Sequence, residues 1–464
     1  MIATAAIPWI LLLGARRVLA SGIEVDWNSD DSIKAAASAL AADLMPYYEG
    51  NLPGHTPGLL FLPPDPEPWW WAGGVLFGIM IDYWHFTKDT KYNDVVKAAM
   101  VHQAGENQDF LTPNWTAHMG NDDQGFWGMS AMLAAETGFD DPGPDEPQWL
   151  ATAQGVFNTM ASPERHDQTC GGGLRWQLHF YSVGYDYKNS ISNGILFNLG
   201  ARLARYTGNS TYEEWANKIW EWERAVGFMT DEYAVYDGGH VYKNCTNISD
   251  TQYTYNSAVW LQGAAFLYNH TNGSPEWRQR VQGLLDHMLV QFFPKDGIIS
   301  ETSCQNEEIN TCTRDRLLHK GVSLRWLTTI AQVAPFTAEK IRPVVEASAK
   351  AALSQCTGGD NGRQCGFQWS SGKYDGTTNA GTQMSALSAV VSVLYGRGHI
   401  TAPLTRDTGG TSRGDSGAGS NANVQDLRGP RAQPVTTADR VGAGFLTLVF
   451  LVSFVGVEAW IVMN

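Results

Sequence analysis

The residues from Gly120 to Gly128 read Gly-Asn-Asp-Asp-Gln-Gly-Phe-Trp-Gly and put two carboxylates side by side where a long loop enters a helix. Two adjacent anions repel. At a helix start, however, free backbone N–H groups and the helix dipole favour one negative charge. One carboxylate can then stay ionised while its neighbour, facing a like charge, keeps its proton. Glycoside cleavage needs that division: one group attacks the anomeric carbon and the other protonates the leaving oxygen. Retaining enzymes hold the two carboxyls about 5–5.5 Å apart, which residues with Cα atoms about 3.8 Å apart can reach by diverging slightly. The same pair would also serve as an ordinary helix cap.

The rest of the chain must position such a pair. It has 464 residues, of which 43% are hydrophobic, so a large core can be buried. The net charge of −15 argues against nucleic acid and against binding to anionic lipid, both of which call for a basic face. With 18 Trp and 17 Tyr, flat rings are available either for the core or for stacking on sugars. Apolar residues recur at three- and four-residue spacing over 31–48, 71–87, 91–105, 123–138, 146–160, 190–207, 211–229, 252–269, 275–293, 320–333, 337–355 and 380–395. Twelve helices joined by alternating short turns and long loops predict an all-α fold, an (α/α)6 barrel of six hairpins with every long loop at one mouth. A solenoid of helix pairs is the alternative, but it does not call for such long Gly-rich loops.

Both ends read as targeting signals. Residues 1–20 are expected to be a signal peptide, apolar over Ile7–Leu13 with Val18-Leu19-Ala20 for cleavage, although Arg16-Arg17 follow the apolar stretch instead of preceding it. The catalytic domain is expected at 21–400. A polar Gly/Ser-rich spacer follows at 401–440, with GPI attachment between Ser416 and Asn423, and a hydrophobic tail at 441–464 interrupted by Glu458. A plain C-terminal membrane helix is the other reading of that tail. Six cysteines allow 15 pairings. Short loops favour Cys304–Cys312 and Cys356–Cys365, which leaves Cys170–Cys245. Sequons begin at Asn114, Asn209, Asn244, Asn247, Asn269 and Asn272. There is no CxxC pair or His-rich cluster, so neither metal nor cofactor is expected.

Several motifs, in order, resemble glycoside hydrolase family 76, the endo-α-1,6-mannanases and their GPI-anchored fungal cell-wall relatives. They are Asn121-Asp122-Asp123-Gln124 with Phe126-Trp127-Gly128-Met129-Ser130, Trp69-Trp70-Trp71-Ala72-Gly73, Cys170-Gly171-Gly172-Gly173-Leu174-Arg175-Trp176-Gln177, Tyr187-Lys188-Asn189-Ser190-Ile191-Ser192-Asn193-Gly194 and Ala201-Arg202-Leu203-Ala204-Arg205-Tyr206-Thr207-Gly208. The resemblance implies an (α/α)6 fold and retention through a covalent mannosyl-enzyme, with Asp122 as nucleophile and Asp123 as acid/base. It also implies a monomer acting on an α-mannose glycan, with wall glucan as a candidate acceptor and a GPI lipid holding it to the outer membrane face or wall. Trp70, Trp127, Trp176, Tyr255 and Trp369 are candidates for stacking on sugar. Asn121, Gln124, Lys188, Asn189 and Asn193 are candidates for its hydroxyls, as are Arg175 and His179; Lys188 could instead hold a structural carboxylate. A silent mannan-binding scaffold is the rival reading, which an intact aspartate pair disfavours. A polysaccharide lyase would need a Tyr/His or Arg-centred site that the sequence does not show.

Overall fold

Six of the helices have no polar face, because they are buried all round. They are α2 (Trp70–Thr87), α5 (Asn121–Thr137), α7 (Ser190–Thr207), α9 (Thr254–His270), α11 (Arg316–Val333) and α13 (Ala380–Ser392). Each packs on the next, and α13 returns to α2, so they form a closed inner ring. The outer layer is α1 (Asp30–Leu44), α3 (Asn93–Gln103), α6 (Trp149–Met160), α8 (Ser210–Val226), α10 (Pro275–Phe292) and α12 (Ala338–Ser354). Amphipathic members such as α8 turn Tyr212, Ala216, Ile219 and Trp220 inward. This is the expected (α/α)6 barrel, and all twelve expected helices are present with ends shifted by a few residues. This computed structural model describes residues 22–61, 69–116, 118–294, 296–306, 311–397, 402–420 and 437–463. The expected signal peptide and the segment 421–436 lie outside them.

Every inner helix follows a long loop, and all but the last, α13, end in a shorter connection to the next outer helix. All six inner N-termini therefore point to one mouth. The long loops carry a short helix α4 (Pro113–Thr116) and two small antiparallel sheets. One sheet is β1 (Tyr187–Asn189), β2 (Gly238–His240) and β3 (Ile248–Ser249), with Lys188 opposite Gly239. The other is β4 (Cys356–Gly358) with β5 (Gln364–Cys365). Buried ion pairs tie the inner helices together: Asp82 of α2 to Arg325 of α11, and Glu136 of α5 to Arg202 of α7, each at 2.6 Å. The disulfides are Cys170–Cys245, Cys304–Cys312 and Cys356–Cys365, as the loop lengths favoured.

Residues 402–420, the first part of the expected polar spacer, pack as a strap on the barrel. At the short-turn end, Leu404 N–H donates to Glu136 O, and Arg205 reaches the carbonyls of Pro403 and Leu404. The strap then runs along α6 and fills its unsatisfied N-terminal donors: Leu150 N–H bonds Ser412 Oγ, and Ala151 N–H bonds Arg413 O. Asn158 donates to the carbonyls of Ser416 and Ala418, and Gly419 N–H bonds Asn107 O beside the mouth. The proposed attachment window therefore overlaps packed chain at 416–420. A last helix, α14 (Thr437–Met463), leaves Phe445, Leu448, Phe450 and Phe454 exposed. Among the described residues, no helix is long and apolar enough to cross a membrane.

Candidate active site

A cavity of about 220 Å³ opens where the inner N-termini meet. α5 contributes Asp122, Asp123 and Phe126, and α2 contributes Trp71. The approach to α7 gives Tyr187 and Asn189, α9 gives Tyr253 and Tyr255, and α11 gives Asp315, Arg316 and His319. Loops add Trp176 and Asp237. Each of those helix starts points the positive end of its dipole at the mouth, which suits the four carboxylates there.

Asp122 and Asp123 lie in the first turn of α5. Trp176 Nε1 donates to Asp122 Oδ2 at 3.0 Å, and Asp123 N–H donates to Asp122 Oδ1 at 3.1 Å. Asp123 Oδ2 accepts Gly120 N–H at 2.7 Å. Burial, and then repulsion from Asp123, holds the Asp122 carboxyl well above the usual carboxylate range. Burial also pushes Asp123 up, to about 6; the Gly120 N–H pulls against this and the charge of Asp315 adds to it. Such neighbours titrate as a pair, and near neutral pH they keep one proton between them.

The walls are aromatic. Tyr255 stacks on His319 with centroids 3.9 Å apart and lies parallel to Phe126, which packs on Trp71. Asp237 is fixed by the Tyr187 hydroxyl at 2.8 Å, and burial raises its carboxyl too. Among the described residues, no group of three or more His, Cys, Asp or Glu side chains is arranged to hold a metal.

Of the residues singled out in the sequence, Asp122, Asp123, Trp176, Asn189 and Tyr255 line the cavity. The others do not, and their assignment to sugar contact is corrected. Trp70 and Trp127 pack on each other at 5.3 Å in the core, their indole N–H groups spent on Gln103 and on Trp70 O. Trp369 is buried against Lys320. Asn121 and Gln124 turn away from the cavity to accept the same buried guanidinium nitrogen, Arg165 Nη1, at 2.8 and 2.6 Å. Asn193 bonds both backbone groups of Leu174. Lys188 holds a structural carboxylate, Asp167, at 2.8 Å, together with the carbonyls of Thr169, Gly172 and Gly173. Arg175 grips the other oxygen of Asp167 at 2.6 Å, and His179 stacks on Tyr181; neither lines the cavity. Of the sequons, Asn269 is unsuited to a glycan, since its amide donates to Val333 O and accepts from Arg205. Asn114, Asn209, Asn244, Asn247 and Asn272 are exposed.

Sequence reading missed Trp71, Phe126, Tyr187, Asp237, Tyr253, Asp315, Arg316 and His319. Most stand just before or within the first turn of an inner helix, and the alternation of long loops with short turns marks that position.

The family model for glycosyl hydrolase family 76 matches residues 32–407. The chain belongs to this family. It is 43% identical over 445 residues to a mannan endo-1,6-alpha-mannosidase, DCW1, of Saccharomyces cerevisiae, covering 95% of this chain and 96% of the relative. Among solved structures it is similar to Dfg5 from Chaetomium thermophilum in complex with glucosamine, at 48% identity and a TM-score of 0.82 over 87% of this chain and 99% of that one. An inactive variant of a Salegentibacter alpha-1,6-mannanase, in complex with alpha-1,6-mannotriose, shares the fold at 17% identity and a TM-score of 0.63, covering 80% of this chain and 99% of that one. The family 76 chain is thus a glycoside hydrolase relative along nearly its whole length.

Proposed function

We propose that this family 76 chain is a retaining glycosidase or transglycosidase acting on α-1,6-linked mannose, in mannan or in the mannose core of a GPI glycan. The observation that carries the reading is the Asp122/Asp123 pair at the mouth of six converging helices, with an indole N–H fixed on Asp122. Asp122 accepts from Trp176 and from Asp123 N–H, and Asp123 accepts from Gly120 N–H. Burial and the charge of Asp123 leave the shared proton on Asp122 at rest, so substrate entry must move that proton to Asp123 before Asp122 attacks. Asp122 then attacks the anomeric carbon as the glycosidic C–O bond breaks, and the Asp123 proton goes to the leaving oxygen. In the second half, Asp123 takes a proton from water or from a sugar hydroxyl, which attacks the anomeric carbon and frees Asp122. Trp176, Tyr255 and Asn189 are the sugar contacts expected beside the pair.

A second feature favours the GPI glycan over plain mannan. Besides the pair, the cavity holds Asp237 and Asp315 against Arg316 and His319, and such a surplus of acid suits a donor that carries an amine. The Chaetomium relative was crystallised with glucosamine. The three disulfides fit an oxidising compartment, and the apolar C-terminal segment fits the expected secreted, GPI-anchored protein.

The test is turnover of an activated aryl mannoside by Asp122→Asn and Asp123→Asn. The first should release no aryl group. The second should release it in a burst, accumulate a mannosyl adduct on Asp122 and be rescued by azide. An adduct on Asp123 would reverse the roles, and full activity in both variants would sink the pair.

A further inference from the structure

The mouth carries apolar side chains in water. Residues 174–188 form a flap in which Trp176 N–H bonds Tyr187 O and Arg175 bridges to Lys188. Its tip leaves Phe180, Tyr181 and Val183 at 50%, 60% and 95% exposure. Leu52 and Tyr242, on two other long loops, and Val290, near the mouth end of α10, are also exposed. Together with Trp176 these are the large apolar side chains left in water on the barrel and strap, among the described residues. All lie toward the long-loop end. Monomer surfaces seldom gather apolar side chains at one end without a partner for them.

The strap supplies the partner. It picks up the chain at the short-turn end, beside Glu136 and Arg205, and carries it along α6 to Asn107 at the mouth. The chain thus leaves the barrel at the end that bears the exposed rings, and its later residues form the apolar α14. Aromatic side chains with a polar edge suit the headgroup layer of a bilayer. The net charge of −15 selects a zwitterionic surface over an anionic one.

We infer that the mouth of the barrel docks on a zwitterionic lipid surface through the 180–183 flap tip, so that the cavity opens toward the membrane that holds the C-terminus. This rests on the proposed reading of the C-terminus as membrane-held, by the GPI lipid in the mature protein and by the uncleaved segment 441–463 in the full chain. It narrows the substrate to a glycan presented at the bilayer, such as the head of a glycolipid, and places a polymer in the outer wall on the wrong side of the molecule.

The experiment uses the full chain in phosphatidylcholine vesicles, spin-labelled at Val183→Cys or, at the opposite end, at Lys91→Cys. The native cysteines are all in disulfides, so only the introduced thiol reacts. On reconstitution the label at 183 should become several-fold less accessible to an aqueous nickel chelate and more accessible to oxygen, while the label at 91 stays in water. Failure of the protein to float with the vesicles would remove the anchoring reading and this inference with it. Flotation with both labels in water would overturn the docking alone. So would label–label broadening at 183 that vanishes on dilution with unlabelled protein, which would indicate a second copy on the patch. In a second arm, Phe180→Ser with Val183→Ser should slow cleavage of a mannosylated glycolipid in the vesicles several-fold and leave a soluble aryl mannoside unaffected. Equal loss on both substrates would make the tip a sugar subsite and overturn the proposal.

Discussion

The indole nitrogen of Trp176 lies 3.0 Å from Asp122 Oδ2, so one side chain both edges the cavity and donates to the proposed nucleophile. Trp176→Phe keeps a flat ring and deletes the donor. A hydrogen bond to a charged group contributes about 1.5–3 kcal/mol, so kcat/KM should fall roughly 10- to 100-fold. Because the donor favours the Asp122 anion, its loss should move the acid limb of the kcat/KM–pH profile to higher pH. Steady-state kinetics across pH check both.

The aspartate pair should give a bell-shaped profile. On the acid side, as pH falls through about 6, Asp123 takes up a proton, so the pair binds a second one and Asp122 can no longer pass its own across to become the nucleophile. At higher pH it loses its only proton and with it the acid. In Asp123→Asn, turnover of an activated substrate should lose the basic limb, since no acid remains to deprotonate.

Arg165 should matter without touching sugar. It is buried, and burial pulls its guanidinium down to about 10. Its Nη1 holds Asn121 and Gln124, the residues on either side of the pair. Arg165→Met should lower kcat more than it raises KM and should shift the pH optimum, while Arg165→Lys restores part of both. An unchanged pH optimum in a folded Arg165→Met protein would leave it a purely structural group.

Glu223 is fully buried beside Ser190, and burial raises its carboxyl to about 8. A raised acid pKa means that the folded state holds its proton more tightly than the unfolded chain does. Its contribution to stability is therefore complete below about pH 4.5 and is lost as pH rises toward 8. Glu223→Gln should leave stability unchanged near pH 4 and raise it at pH 7.5 by about 4 kcal/mol at most. Urea unfolding at the two pH values measures the difference.

Stopping the chain after residue 400 should lower the melting temperature by several degrees relative to stopping after 420, since the shorter chain leaves Leu150 N–H and Ala151 N–H without acceptors at the start of α6. Equal melting temperatures would make the strap an ornament. Differential scanning calorimetry of both chains decides.

The barrel was legible because apolar spacing reports burial directly, and the alternation of short and long connections reports which helix ends share a face. The cavity was less so. Trp70 and Trp71 are neighbours in sequence, yet about 100° of helical rotation puts the first in the core and the second on the cavity wall. Asn121 to Gln124 divide likewise, two side chains facing the site and two reaching Arg165 behind it. Asp237, Asp315 and His319 come from segments far from Asp122 in sequence, and only the closed ring brings them together. The strap was hidden for another reason: its Gly-, Ser- and Thr-rich composition is that of a linker, and its backbone bonds leave no periodic trace.

Ring closure sets the order in which this molecule can be made. α13 packs on α1 and α2, and Arg363 beside it pairs with Asp43 of α1 at 2.7 Å. A chain emerging N-terminus first therefore carries five hairpins with two open apolar flanks until its last hairpin arrives, and such long-range closure is slow. Lesions at this seam, including Asp43→Ala, should lower the yield of folded protein while the molecules that do close turn over normally.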